Sequence, residues 1–233
     1  MKFACSICLL VLLLVSGMDA ELQCSPCSEE YLMLFQERTS TDYSILYNSI
    51  ADPLHATTVC FFARDYPDES SSTTVDSQCV YSYAIAESNN EFNFCLAPQI
   101  RVLINGNRRD VGFGVEDDDW HHYCFTWSDV NGDYAFYIDG VSVSSGAGFV
   151  RDGHISSGGT TVIGQDQDSV GGDFVAAQAY VGDLTQVNVW NKVLSESDIQ
   201  AQASTCYISE GTQVIKWSQF KDKVQGGVVL MRP

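Results

Sequence analysis

Apolar and polar residues alternate along most of this chain, which is the mark of strands that bury one face. In Tyr123-Cys124-Phe125-Thr126-Trp127 the large rings fall at every second position. Asn131-Gly132 then predicts a hairpin turn, after which Tyr134, Phe136 and Ile138 return on one face and Asp139-Gly140 turns the chain again. Segments 58–62, 80–84, 99–104, 160–163 and 184–190 have the same character. Many short strands separated by Gly, Asn and Asp turns predict an all-β fold built as a two-sheet sandwich. One short helix interrupts the pattern. Ser195 and Asp198 have the spacing of a capping box, Leu194 and Ile199 that of a hydrophobic staple, and the helix is expected over 196–203.

The first residues do not belong to this pattern. Lys2 precedes an apolar run from Ile7 to Val15 and then small residues, so 1–20 reads as a secretory signal peptide, with cleavage between Gly17 and Ala20. That run is shorter than the roughly 20 residues a membrane helix needs. No later run is long enough either, so a secreted, extracellular product without membrane insertion is expected. Residues 21–233 carry no linker and no internal repeat and read as one domain.

The formal net charge is −18. The leader takes one charge of each sign with it, so the balance holds. Such a surface repels phosphate backbones and argues against nucleic acid, while it suits divalent cations. Of nine cysteines, Cys5 and Cys8 leave with the leader and seven remain. An oxidising compartment favours pairing. Cys79 and Cys95 flank a turn near Glu87–Asn90 at similar distances and can face each other across a hairpin. Either Cys24 or Cys27 ties the N-terminus to Cys206, and the other is left odd.

One acidic stretch stands out chemically: Gly164-Gln165-Asp166-Gln167-Asp168-Ser169-Val170-Gly171-Gly172-Asp173-Phe174. Calcium takes about 6–8 oxygen ligands. In extended chain Asp166 and Asp168 point the same way, with the carbonyl of Gln167 between them. The double glycine turns the chain so that a later residue such as Gln178 returns toward the ion.

Four segments in order resemble the pentraxin family. They are Ser82-Tyr83-Ala84 followed by Asn89-Asn90-Glu91, the stretch His122-Tyr123-Cys124-Phe125-Thr126-Trp127-Ser128, the acidic loop, and Val181-Gly182-Asp183-Leu184 leading to Val187-Asn188-Val189-Trp190. The resemblance implies a jelly-roll sandwich of the legume-lectin or concanavalin A type. Its lone helix would lie on the sheet opposite the calcium face. It also implies a Cys60–Cys124 disulfide and a cyclic homo-oligomer, a pentamer or similar. It puts metal ligands at Asn89, Asn90, Asp166, Gln167, Asp168 and Gln178.

Two positions depart from the family pattern. Asn89 stands where a carboxylate is usual, and Val175 stands where a second-ion glutamate is usual, with Asp173 near enough to substitute. One calcium ion (Ca2+) of the weak extracellular class is therefore expected, with Kd on the order of 10⁻⁴–10⁻³ M, and the second is left short of ligands. The implied function is a secreted, calcium-dependent pattern-recognition lectin of innate immunity that takes phosphocholine-like, phosphorylated or carbohydrate ligands. Its aromatic choline position falls on Cys95. Arg108 and Arg109 suit anionic glycans instead, although two basic residues in a loop are more often simply solvated.

Other readings have less behind them. An interaction scaffold with a decayed calcium site is the alternative, motivated by Asn89 and Val175. A glycan-active enzyme needs two carboxylates flanking a cleft, and no Glu-x-Asp-x-x-Glu strand occurs, so no catalytic residue is assigned. Asp129-Val130-Asn131-Gly132-Asp133 begins like an EF-hand loop but has Tyr134 at its sixth position and Gly140 at its twelfth. Asp117-Asp118-Asp119 reads as a solvated turn. His121 and His122 point to opposite faces of a strand and cannot share one zinc.

Overall fold

The computed structural model describes residues 26–27, 30–66, 77–115, 117–208, 211 and 213–232. The leader, Cys24 and the Ser70–Thr74 loop lie outside the described residues.

Fifteen strands and one α-helix are described. In chain order they are β1 (Leu32–Phe35), β2 (Tyr43–Leu46), β3 (Ala56–Asp65), β4 (Cys79–Ile85), β5 (Ser88–Cys95), β6 (Arg101–Ile104), β7 (Asn107–Asp110), β8 (His121–Ser128), β9 (Asp133–Ile138), β10 (Val141–Gly146), β11 (Thr160–Ile163), β12 (Gly182–Trp190), α1 (Glu196–Thr205), β13 (Gln213–Ile215), β14 (Val224–Gln225) and β15 (Val229–Met231). They form two antiparallel sheets. One runs β10-β9-β8-β3-β12-β1-β15, with β13 also on β12; the other runs β14-β2-β11-β4-β5-β6-β7. This is the sandwich that the alternation predicts.

The ring pattern explains how the sheets meet. Tyr123, Phe125 and Trp127 of β8 lie opposite Ile138, Phe136 and Tyr134 of β9. The same face meets Tyr81 and Tyr83 of β4 and Phe92 and Phe94 of β5 in one buried cluster. Phe94 packs edge-on to Phe61 at 4.9 Å between centroids. The β9–β10 turn is Asp139-Gly140, both at positive φ (50° and 77°), as a two-residue hairpin of this hand requires.

Helix α1 begins as expected and runs two residues further. The Ser195 hydroxyl accepts from the Asp198 backbone N–H and donates to the Asp198 carboxylate. Leu194 and Ile199 are buried with Cys60, Cys124, Tyr137 and Trp190. The helix therefore covers the outer face of the β3–β8–β9–β12 sheet, and the outer face of the other sheet remains for a site.

Three disulfides are described: Cys27–Cys206, Cys60–Cys124 and Cys79–Cys95. The expected hairpin pair sits directly opposite in the β4–β5 register. Cys27 is the cysteine that ties the N-terminal segment to Cys206, which caps the helix C-terminus in the left-handed region.

Candidate functional site

The site is built where β5, the segment after β11 and the start of β4 come together. Phe92 and Phe94 enter the core, so Asn93 between them faces outward. The Asn93 amide nitrogen donates to Asp166 Oδ1 at 2.6 Å and to Asn90 Oδ1 at 2.8 Å. Asn90 in turn donates to Asn89 Oδ1 at 3.1 Å, and Asn89 donates to the backbone carbonyl of Asp168 at 3.2 Å. A closed chain of amides thus joins the hairpin strand to the acidic loop. It brings together four predicted residues: Asn89, Asn90, Asp166 and Asp168.

The loop is held from beneath by its glutamines. Gln167 is fully buried. Its amide donates to the Ser82 carbonyl, the Ser82 hydroxyl and the Thr160 carbonyl, and its oxygen accepts from Gly171 N–H. The side chain is therefore a strut, and only the main-chain carbonyl is left as a ligand atom. Gln165 does a similar job, donating to the carbonyls of Thr39 and Asp42.

Beyond Asp168 the chain reverses. Ser169 and Gly172 exchange backbone hydrogen bonds at 3.3 and 3.1 Å, and Gly171 has φ +71°. Phe174 then rests on Tyr43 at 4.7 Å between ring centroids. A single 3₁₀ turn, Ala176–Gln178, follows and is pinned to the start of β4 by a bridge between Cys79 and Ala179. Gln178 Oε1 is buried there without a hydrogen-bond partner among the described residues. Val175, at the turn's start, is exposed, and Asp173 is exposed at φ +54°.

Electrostatics favour a cation at this place. Burial, and then the charge of Asp168, push the Asp166 carboxyl up to about 6; the Arg101 charge and the Gln167 backbone N–H oppose the shift. A divalent ion between the two carboxylates relieves the repulsion that the Asp168 charge exerts on Asp166. The donor set is all oxygen, which suits calcium rather than zinc. The residues present thus fit one hard cation, and the orphaned Gln178 oxygen is a further candidate donor.

Sequence reasoning missed Asn93. Its signal was present, since a polar residue between two core rings must face out, but its partner Asp166 is remote in sequence. Two further expectations change. Asp117 is not only solvated: it pairs with His121 Nε2 at 3.1 Å, and Asp139 takes Nδ1 at 2.8 Å. Both raise the His121 pKa, with Asp139 the larger influence. Arg109 is not in a loop; it lies on β7, 4.8 Å over the Phe149 ring. His122, Cys60 and Cys124 cluster closely enough to suggest a metal site, but both sulfurs are spent in a disulfide.

Comparison with known proteins places this geometry. The sequence profile of the Pentaxin family matches residues 32–233. C-reactive protein 1.1 of Limulus polyphemus is 35% identical over 167 residues, covering 65% of this chain and 66% of that protein. Human neuronal pentraxin-1 is 29% identical over 201 residues, covering 85% of this chain and 45% of that protein. The chain thus spans less than half the length of the neuronal pentraxin. A native heptameric SAP-like pentraxin from Limulus polyphemus superposes with a TM-score of 0.70 at 23% identity, covering 87% of this chain and 94% of its own.

Proposed function

The chain belongs to the pentraxin family, and from that premise we propose that it is a secreted, calcium-dependent lectin of innate immunity. It takes one calcium ion through Asp166, Asp168, Asn89, Asn90 and the Gln167 carbonyl, with Gln178 and Asp173 as further donors. The observation that carries this reading is the amide chain from Asp166 through Asn93, Asn90 and Asn89 to Asp168. The buried Asn93 amide is spent on holding the buried Asp166 carboxylate beside the charge of Asp168, an arrangement that a bound cation relieves.

When bound, the ion supplies open coordination positions that accept oxygens of phosphorylated or carbohydrate ligands. The chain's own residues do the rest. Asn93 and Gln167 orient the loop, and the disulfide Cys79–Cys95 braces the hairpin beneath it. Secretion is supported by the apolar leader in the sequence and by the three disulfides. A ring of copies is supported by the heptameric Limulus relative; it raises weak single-site affinity through avidity. Binding rather than catalysis is the proposed activity, in keeping with membership of the pentraxin family.

The test is capture of the protein on phosphocholine and bacterial-polysaccharide resins with and without EDTA. Capture that EDTA releases supports the reading, and capture indifferent to EDTA rejects it.

A second reading has its own observation. Val175 is exposed where the family pattern has a carboxylate, and Asn89 is neutral. Both lower the charge of the site, so a scaffold without calcium is the competitor. Equilibrium dialysis separates the two, since a chain that retains no calcium at millimolar concentration is a scaffold.

A further inference from the structure

Two of the chain's four histidines, His55 and His154, meet beside a short bridge outside the named strands. Leu54 and Ile155 exchange both backbone hydrogen bonds there, at 2.8 and 3.0 Å, and both side chains are in the core. In an antiparallel pair the next residues along are direct cross-strand neighbours, with Cα atoms about 4.5 Å apart and side chains on the opposite face. Those residues are His55 and His154, and their ring centroids are 5.8 Å apart. On the other side of His55 the β3–β8 register, which pairs Ala56 with Ser128, leads on to Asp129. The Asp129 N–H donates to the His55 carbonyl at 2.9 Å. Its carboxylate Oδ2 lies 2.6 Å from His55 Nδ1. One outward row thus reads Asp129, His55, His154.

The row has the chemistry of a metal chelate. A carboxylate only accepts hydrogen bonds, so His55 Nδ1 carries the proton and Nε2 keeps a lone pair. A carboxylate on one imidazole nitrogen is the usual way to orient a histidine whose other nitrogen binds a metal. The backbone that carries His154 is tied down on both sides. The Asn105 amide donates to the His154 carbonyl at 3.0 Å, and Glu91 accepts from the Ser156 N–H at 2.6 Å. The His55 side chain is 67% exposed and His154 is exposed as well, so an ion reaches both from solvent. Two imidazoles on one tetrahedral zinc, with Zn–N about 2.0–2.1 Å, set their ring centres about 5–5.5 Å apart. A small rotation of either exposed ring closes the remaining gap. The net charge of −18 draws cations to the surface, and imidazole nitrogens favour zinc over calcium.

We propose that His55 and His154 form a zinc site, oriented by Asp129 and separate from the acidic loop. The two histidines supply two of the four positions of a tetrahedral ion, and the other two face solvent, where water or a ligand oxygen fills them. The site shares no residue with the calcium constellation, and the inference does not rest on the calcium reading.

The test titrates zinc into the full secreted chain by calorimetry, after EDTA treatment and dialysis into millimolar calcium, which competes for the oxygen donors of the acidic loop. One zinc ion per chain is expected. His55→Ala and His154→Ala are each expected to weaken it at least tenfold, and Asp129→Asn by about tenfold, the cost of losing an orienting carboxylate. The metal-free Tm of the two alanine variants is expected to match wild type, because both side chains face solvent, so lost binding is not lost folding. His121→Ala and Asp166→Ala are expected to keep the zinc. They control for the other histidine between carboxylates, at Asp117 and Asp139, and for the acidic loop. No zinc bound by wild type, zinc bound unchanged by the double variant His55→Ala, His154→Ala, or zinc lost in His121→Ala or Asp166→Ala would each overturn the assignment.

Discussion

The side-chain amide of Asn93 donates to Asp166 at 2.6 Å across 73 residues of sequence, and the same nitrogen donates to Asn90 at 2.8 Å. One buried amide therefore fixes a strand to a loop. Asn93→Leu leaves the buried Asp166 carboxylate without this donor. The cost of a buried charged group losing its hydrogen bond is about 1–3 kcal/mol. Denaturant unfolding of the calcium-free protein should show that loss. Calcium affinity should fall as well, because Asn89 and Asn90 lose their anchor.

Asp168→Asn separates stability from function. Asp168 is exposed, and its charge pushes the Asp166 proton affinity up. Removing that charge should leave the calcium-free Tm unchanged or slightly higher. The rise in Tm on adding calcium should disappear. A destabilised variant that still gains Tm with calcium would contradict the assignment.

Val175→Glu and Asn89→Asp both add charge to the set. Val175 is 44% exposed, so the substitution has no core to disturb. More charged ligands bind calcium more tightly, and calorimetry should show about a tenfold lower Kd for the pair. Unchanged affinity would place the ion elsewhere.

The fold carries its own acid sensitivity at His122. Burial lowers its pKa from the ordinary 6.5 to about 4, with the charge of Asp139 opposing the shift. The neutral ring is the folded form. Its contribution is therefore fully present above pH 6.5, shrinks as the unfolded chain takes up the proton below 6.5, and is lost by pH 4. The difference amounts to about 3 kcal/mol. His122→Phe keeps a ring against Phe62, which now lies 4.7 Å away. The difference in unfolding free energy between variant and wild type should shift by that amount between pH 7 and pH 4.

Removing Cys60–Cys124 tests the covalent frame. The bridge spans 64 residues, for which chain entropy gives roughly 4 kcal/mol. Cys60→Ala with Cys124→Ala should lower stability by about that amount in denaturant unfolding, with calcium affinity kept, because the bridge lies on the helix-covered sheet.

What the sequence made legible follows from range. The rings of β8 and β9 alternate between Tyr123 and Phe136, and the cap joins Ser195 to Asp198, so both are visible locally. Strands β1, β2 and β13–β15 are two to four residues long and carry too few positions for a period to show. The acidic loop and Asn89-Asn90 were readable as chemistry. The Asn93 link was not, because its partner comes from another strand's end. Gln167 was read through its position between two carboxylates, whereas its side chain turns inward to Ser82 and Thr160. Arg109 looked like a loop cation because nothing local announces that its guanidinium covers Phe149.

A calcium titration followed by calorimetry tests the central claim most directly, run on wild type and on Asp166→Ala. One ion per chain is expected, with Kd on the order of 10⁻⁴–10⁻³ M, and no heat is expected from the variant. Wild-type heat that survives unchanged in Asp166→Ala, or no heat from either, would contradict the account.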